Sequence, residues 1–263
     1  MSLQSEYEVA TDVFNSGDRL RALPMFSKLA DAGHGKSLHA LGVIYFQGIG
    51  VGEDLSKALD YFKKAAEVGI IEAQYTLAQM RKNGWGAETD NFEAVRWYRA
   101  AAEGGKVEAF FELGQLHRMG LGGPVDMKAA MSCDLHAAEA GEPRAQYSLG
   151  LTYLRGDGGV ERNAALAEKW ADKSAEQGNP DAECLMGLLL MGANGRRKDS
   201  KAALDWYLRA AERGHSHAQY TIGWMMVNGE GVPVDRARAL PWLRKARDQG
   251  NDDAADLLRK LGH

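Results

Sequence analysis

The chain has 263 residues, of which 45 % are hydrophobic and 26 % charged, a balance too apolar for an intrinsically disordered polypeptide. Its 32 basic and 36 acidic side chains leave a net charge of −4, which supplies no broad electrostatic footprint for a nucleic-acid backbone or an anionic membrane. Cys133 and Cys184 are too few for a disulfide framework, and no apolar run reaches the ~18 residues of a membrane span.

In chain order, residues 1–34 read as a divergent helix pair, a capping repeat. Residues 35–250 then read as six units of one pattern, and residues 251–263 as a capping helix near Asp252–Leu261. Glycines set the register. Gly33, Gly69, Gly105, Gly141, Gly178, Gly214 and Gly250 are spaced 36, 36, 36, 37, 36 and 36 apart. A second small residue follows each of the first six at nine positions: Gly42, Ala78, Gly114, Gly150, Gly187 and Gly223. A large apolar residue precedes it every time, from Leu41 to Ile222, and a third glycine column runs from Gly48 to Gly229.

Within a unit, the segment between the first and third columns reads as one helix, for example Val107 to Met119. A second helix begins after Asp54, Asp90, Asp126, Asn163, Asp199 or Asp235, each placed to accept hydrogen bonds from first-turn amides. The first glycine column then suits a left-handed C-terminal cap. One extra residue falls in the Gly156–Val160 turn, and the turn of the following unit is reshaped without changing length. The middle column places a residue without a side chain where the two helices meet. Gly114→Leu is therefore expected to overpack that contact, at a cost of about 1–3 kcal/mol.

The run Ala145-Gln146-Tyr147-Ser148-Leu149-Gly150, its partner Ala218 to Gly223, and the second-helix pattern Lys57-Ala58 to Lys64-Ala65-Ala66-Glu67 resemble the Sel-one-like repeat family. The resemblance implies an all-α, tetratricopeptide-like solenoid, a right-handed superhelix of antiparallel helix pairs. It also implies adaptor roles, which in bacteria extend to envelope and host-interaction proteins. Departures include Ala78 for a glycine, and Arg81 and His117 where Tyr45 and Tyr153 stand in other units.

Chemistry finds little purchase. The stretch Ala30 to Ser37 satisfies a loose phosphate-loop pattern, but that mechanism needs a strand before the loop, and a helix precedes it here. His215 and His217 lack metal-ligand spacing and read as solvated turn histidines. Glu72 and Glu108 read as solvated carboxylates on charged helices. No nucleophile elbow or zinc-protease motif occurs, so no catalytic residue, metal or cofactor is expected.

The informative signal is a surface that should be polar and is not. With the alanine column (Ser37, Ala73, Ala109, Ala145, Ala182, Ala218) as position zero, positions two, six, nine and ten point away from the buried arc at 100° per residue. In helix-pair solenoids the first helices line the concave wall. A concave groove is therefore expected from Tyr75, Gln79, Phe111, Gln115, Arg118, Tyr147, Leu151, Arg155, Leu188, Tyr220, Trp224 and Asn228. Position two doubles as packing between repeats. Position six is either open groove or covered by neighbouring helices. Trp85 is a further exposed aromatic, unless it folds onto the next repeat.

The expected function is a non-catalytic scaffold holding a protein or peptide segment, with no nucleic acid and a monomeric state. Its rivals are a cell-wall-fragment-binding or hydrolytic envelope protein of the cysteine-poor type, and self-assembly through the end repeats. Met1-Ser2-Leu3 and Gly262-His263 look like cloning remnants. The expected compartment is the cytoplasm or, if a leader has been removed, the periplasm or exterior.

Overall fold

A computed structural model describes residues 2–193, 195 and 197–263; Met1 lies outside them. Every regular element among the described residues is helical. The helices are α1 (Leu3–Asn15), α2 (Arg19–Asp31), α3 (Gly35–Gln47), α4 (Leu55–Glu67), α5 (Ile71–Asn83), α6 (Asn91–Glu103), α7 (Val107–Met119) and α8 (Met127–Glu139). They continue as α9 (Pro143–Arg155), α10 (Ala164–Glu176), α11 (Pro180–Leu188), α12 (Ser200–Glu212), α13 (Ser216–Asn228), α14 (Arg236–Asp248) and α15 (Asp252–Lys260). Odd-numbered helices are the first helices of each pair and even-numbered ones the second.

The chain divides into two compact units, Met1–Cys133 and Asp134–His263, with the boundary inside α8. In the first unit each helix from α1 to α7 packs on the next, and in the second the same holds from α9 to α15. Short turns between touching helices force them antiparallel.

The helix starts follow from the sequence. Each predicted cap accepts from the amide three residues on: Asp54 from Lys57 at 2.9 Å, Asp90 from Glu93 at 3.0 Å, Asp126 from Ala129 at 2.9 Å, Asn163 from Leu166 at 3.0 Å, Asp199 from Ala202 at 3.0 Å and Asp235 from Arg238 at 2.9 Å. The caps also close the turn. Their own backbone N–H groups donate to a carbonyl in the preceding first helix or its closing turn, as Asp90 does to Arg81 at 2.8 Å and Asn163 to Tyr153 at 2.9 Å. One capping position thus starts the second helix and ties it back to the first.

The cores are made where the columns predict. Leu41, Leu77, Leu149 and Ile222 are fully buried. A Cβ on Gly42 would meet the Phe62 ring at 2.8 Å, one on Gly187 the Tyr207 ring at 2.7 Å, and one on Gly223 the Leu243 side chain at 2.5 Å. The middle column therefore marks direct contact between the two helices of a pair. The extra residue near Gly156 is absorbed by a 3₁₀ turn over Asp157–Gly159, and α11 ends in a wider π turn over Leu189–Ala193.

A further glycine column seats one pair on the pair before it. Gly86 has φ +79°, and a Cβ there would stand 2.3 Å from the Leu55 carbonyl oxygen at the start of α4; Gly122 bears the same relation to Asn91 at 2.3 Å. Only a glycine lets these backbones approach.

Candidate functional site

In the first unit the face of α5 and α7 carries the predicted residues Tyr75, Gln79, Phe111, Gln115 and Arg118. Tyr75 is half-buried, edge-on to Tyr98 with ring centroids 5.6 Å apart, and Lys106 Nζ lies 5.5 Å from its centroid. Gln79 and Gln115 are half-buried, and Arg118 donates to Gln115 Oε1 at 3.1 Å. Phe111 is buried, so it packs and presents no anchor to a partner. Lys82 of α5 meets Glu112 of α7 at 2.8 Å, an ion pair that links successive first helices.

Trp85 turns backwards. Its ring packs on Phe46 of the preceding pair, centroids 5.7 Å apart, not on the next repeat, and 40 % of its surface stays exposed.

In the second unit the face of α9, α11 and α13 carries Tyr147, Leu151, Arg155, Leu188, Tyr220, Trp224 and Asn228. Leu188 is exposed at 41 %. Tyr147, Leu151, Tyr220 and Trp224 are half-buried, while Arg155 and Asn228 are exposed. Asn228 bonds back to the Trp224 carbonyl at 2.8 Å, which holds its amide beside the indole. Burial and then the Asp181 carboxylate push the Tyr147 hydroxyl above its ordinary range; burial and Asp253 do the same for Tyr220. Both phenols therefore stay protonated and able to donate. Position six is neither wholly open nor wholly covered: Leu151 and Trp224 keep an accessible edge while packing on the core, and Leu188 is exposed.

His215 is not a solvated turn histidine. Its Nδ1 accepts from the Ala218 amide at 3.1 Å, capping α13, and its Nε2 lies 3.1 Å from Asp181 Oδ1 of the preceding pair. Among the described residues no group of three or more His, Cys, Asp or Glu side chains is arranged to hold a metal ion.

The Sel1 repeat matches residues 35–70, 71–106, 107–141, 143–179, 180–215 and 216–251. The chain belongs to the Sel1 repeat family. Among solved structures it is similar to c5321, described as a protective antigen present in uropathogenic Escherichia coli strains displaying an SLR fold. Identity is 31 %, the match covers 96 % of this chain and 55 % of that one, and the TM-score is 0.86. The chain thus spans about half the length of that relative. It is also similar to a Sel1 repeat protein from Oxalobacter formigenes, at 27 % identity, covering 92 % of this chain and 96 % of that one, with a TM-score of 0.80. Yeast Tom70 shares the fold at 14 % identity, covering 98 % of this chain and 53 % of that one, with a TM-score of 0.54. No curated protein matches the sequence.

Sel1 repeats form a solenoid fold that commonly mediates protein–protein interaction and is generally a non-catalytic scaffold. No helix among the described residues is long and apolar enough to cross a membrane.

Sequence reasoning about this Sel1 repeat protein passed over Glu183. It is the one acid in the column Leu38, Gln74, Phe110, Gln146, Glu183 and Gln219. That difference in type was visible in the register, and the structure buries the side chain.

Proposed function

We propose that the protein is a non-catalytic scaffold that binds a protein or peptide segment along the face of its first helices. The observation that carries this reading is Leu188, an apolar side chain 41 % exposed on a helix. It belongs to the same face as the half-buried Leu151 and Trp224. Apolar side chains with one open edge act as anchors because a partner completes a burial already begun, and aromatic residues dominate such contacts. Phenol hydroxyls at Tyr147 and Tyr220, with Arg155 and Asn228, would fix the register of a bound segment.

A library of displayed peptides selected on the immobilised protein tests this reading. Selected peptides should carry an apolar residue. Their affinity, measured by calorimetry, should fall at least about tenfold in Leu188→Glu, roughly the loss of one anchor. Peptides that bind the variant as tightly as the wild type would remove the first-helix face from consideration.

A further inference from the structure

At the edge where a second helix turns into the next first helix, the residue after the buried alanine has the same task in three repeats. Gln74, Gln146 and Gln219 each donate Nε2 to the carbonyl eight residues earlier: Ala66 at 3.2 Å, Ala138 at 3.1 Å and Ala211 at 3.1 Å. The Oε1 atoms of Gln146 and Gln219 then accept from Gln177 at 2.8 Å and Gln249 at 2.7 Å. Both ends of these two amides are satisfied.

Glu183 holds the same place and cannot perform the task. Its residue exposure is 2 %. Arg213 lies thirty residues on, as Gln249 does from Gln219, and its Nε stands 3.4 Å from each carboxylate oxygen. Charge-assisted hydrogen bonds run about 2.7–2.9 Å, so this contact is a loose one. Oε2 has no hydrogen-bond partner. The carbonyl that its register faces is that of Ala175, which accepts from the Gly178 N–H at 2.9 Å, and a carboxylate has no proton to give its second lone pair. Glu183 Oε2 is thus a buried acceptor left without a donor.

Both residues border a cleft. Ala175 and Glu183 line a space of about 500 Å³ together with Glu176, Arg209, Glu212 and Arg213. The two cations are already engaged: Arg209 lies 4.5 Å from the Trp206 ring centroid, and Arg213 faces Glu183. Glu176 and Glu212 are exposed. Neither cation gives Glu183 Oε2 a hydrogen bond of ordinary length.

We infer that this cleft binds a guanidinium group, which donates to Glu183 Oε2 and to the Ala175 carbonyl while Glu176 and Glu212 flank its charge. A planar fork with divergent N–H vectors serves two neighbouring acceptors at once, which a single point donor does less well. The group could belong to an arginine side chain of a polypeptide or to a free small molecule; the contact chemistry is the same.

The test is a titration of the full chain with N-acetyl-arginine methylamide and, separately, with agmatine. It is followed through the carbon-13 resonance of the Glu183 carboxyl group near neutral pH. Saturable shifts with either probe are expected, and the tighter probe identifies the source of the group. Glu183→Gln should keep the fold, since glutamine fills the position in both flanking repeats, and should weaken binding at least about tenfold. Leu188→Glu should leave this binding unchanged, which separates it from the scaffold reading. The inference is overturned if neither probe shifts the resonance, or if Glu183→Gln binds as tightly as the wild type. A Glu183 carboxyl that resonates as a protonated acid at neutral pH also overturns it, since a proton would then fill the place of the donor.

Discussion

Gly223 of α13 lies so close to Leu243 of α14 that a Cβ on the glycine would stand 2.5 Å from the leucine Cδ2. Leu243 is fully buried and has no room to retreat. Alanine in place of a helical glycine ordinarily gains about 0.5–1 kcal/mol. Overpacking a closed contact costs about 1–3 kcal/mol, so the contact term wins. Gly223→Ala should therefore lower the urea midpoint of the full chain. A midpoint that rises would mean that α13 and α14 stand further apart than described.

Two glycines with similar backbone angles should answer differently to the same substitution. Gly69 has φ +88° with nothing within 4 Å of its would-be Cβ, whereas Gly86 has φ +79° and the Leu55 carbonyl at 2.3 Å. Gly69→Ala should cost only the left-handed conformation, about 1–2 kcal/mol. Gly86→Ala adds a clash with backbone that cannot rotate away, on the order of 1–3 kcal/mol more. Paired thermal melts of the two variants decide it, and equal losses would remove the proposed seat between successive pairs.

The difference between those glycines also shows what the sequence could convey. A cap such as Asp90, a left-handed glycine such as Gly69 and a small residue such as Gly223 are each required by chemistry within one helix pair, so their columns could be read directly. The Gly86 contact reaches residue 55 of the preceding pair, and a period alone does not say which neighbour a turn touches. For the same reason Trp85 could not be assigned to Phe46 in advance. Exposure at position six was undecidable from spacing because it depends on side-chain reach: Leu188 is exposed and Val43 half-buried at one register position. Glu183 stood out by type, but its poor satisfaction appears only once the distance to Arg213 is known.

Stability should fall between neutral and mildly acidic pH through two half-buried histidines. Burial lowers the pKa of His39 below 6.5 against an opposing pull from Glu72, and burial with Lys36 lowers that of His34. The unfolded chain binds these protons first, so stability is full above about pH 6.5 and is lost as pH falls through the folded values. His39→Tyr, which installs the residue found at this position in Tyr75, Tyr147 and Tyr220, should flatten part of that dependence. Urea midpoints at about pH 7.5 and about pH 5 measure it, and an unaltered slope in the variant would assign the dependence to other groups.

Cys184 tests how closed the first-helix face is at position two. Its thiol is buried, and burial, aided by the Asp181 carboxylate, pushes its pKa up to about 12. A thiol near its ordinary pKa of about 8.5 exposes about a quarter of itself as thiolate at pH 8; one at about 12 exposes more than about a thousandfold less. Alkylation by iodoacetamide requires thiolate and access, so native Cys184 should react only when the structure opens, and rapidly once urea unfolds it. Peptide mapping after brief labelling reads the rate at this residue. Slow labelling is expected if α11 packs as described, with Cys184 close enough to Tyr147 to help raise the phenol's pKa. Labelling at the speed of a free thiol would mean that this face is open in solution. Tyr147 would then be an exposed anchor and not a half-buried one, and the weight placed on Leu188 as the accessible apolar contact would shift to it.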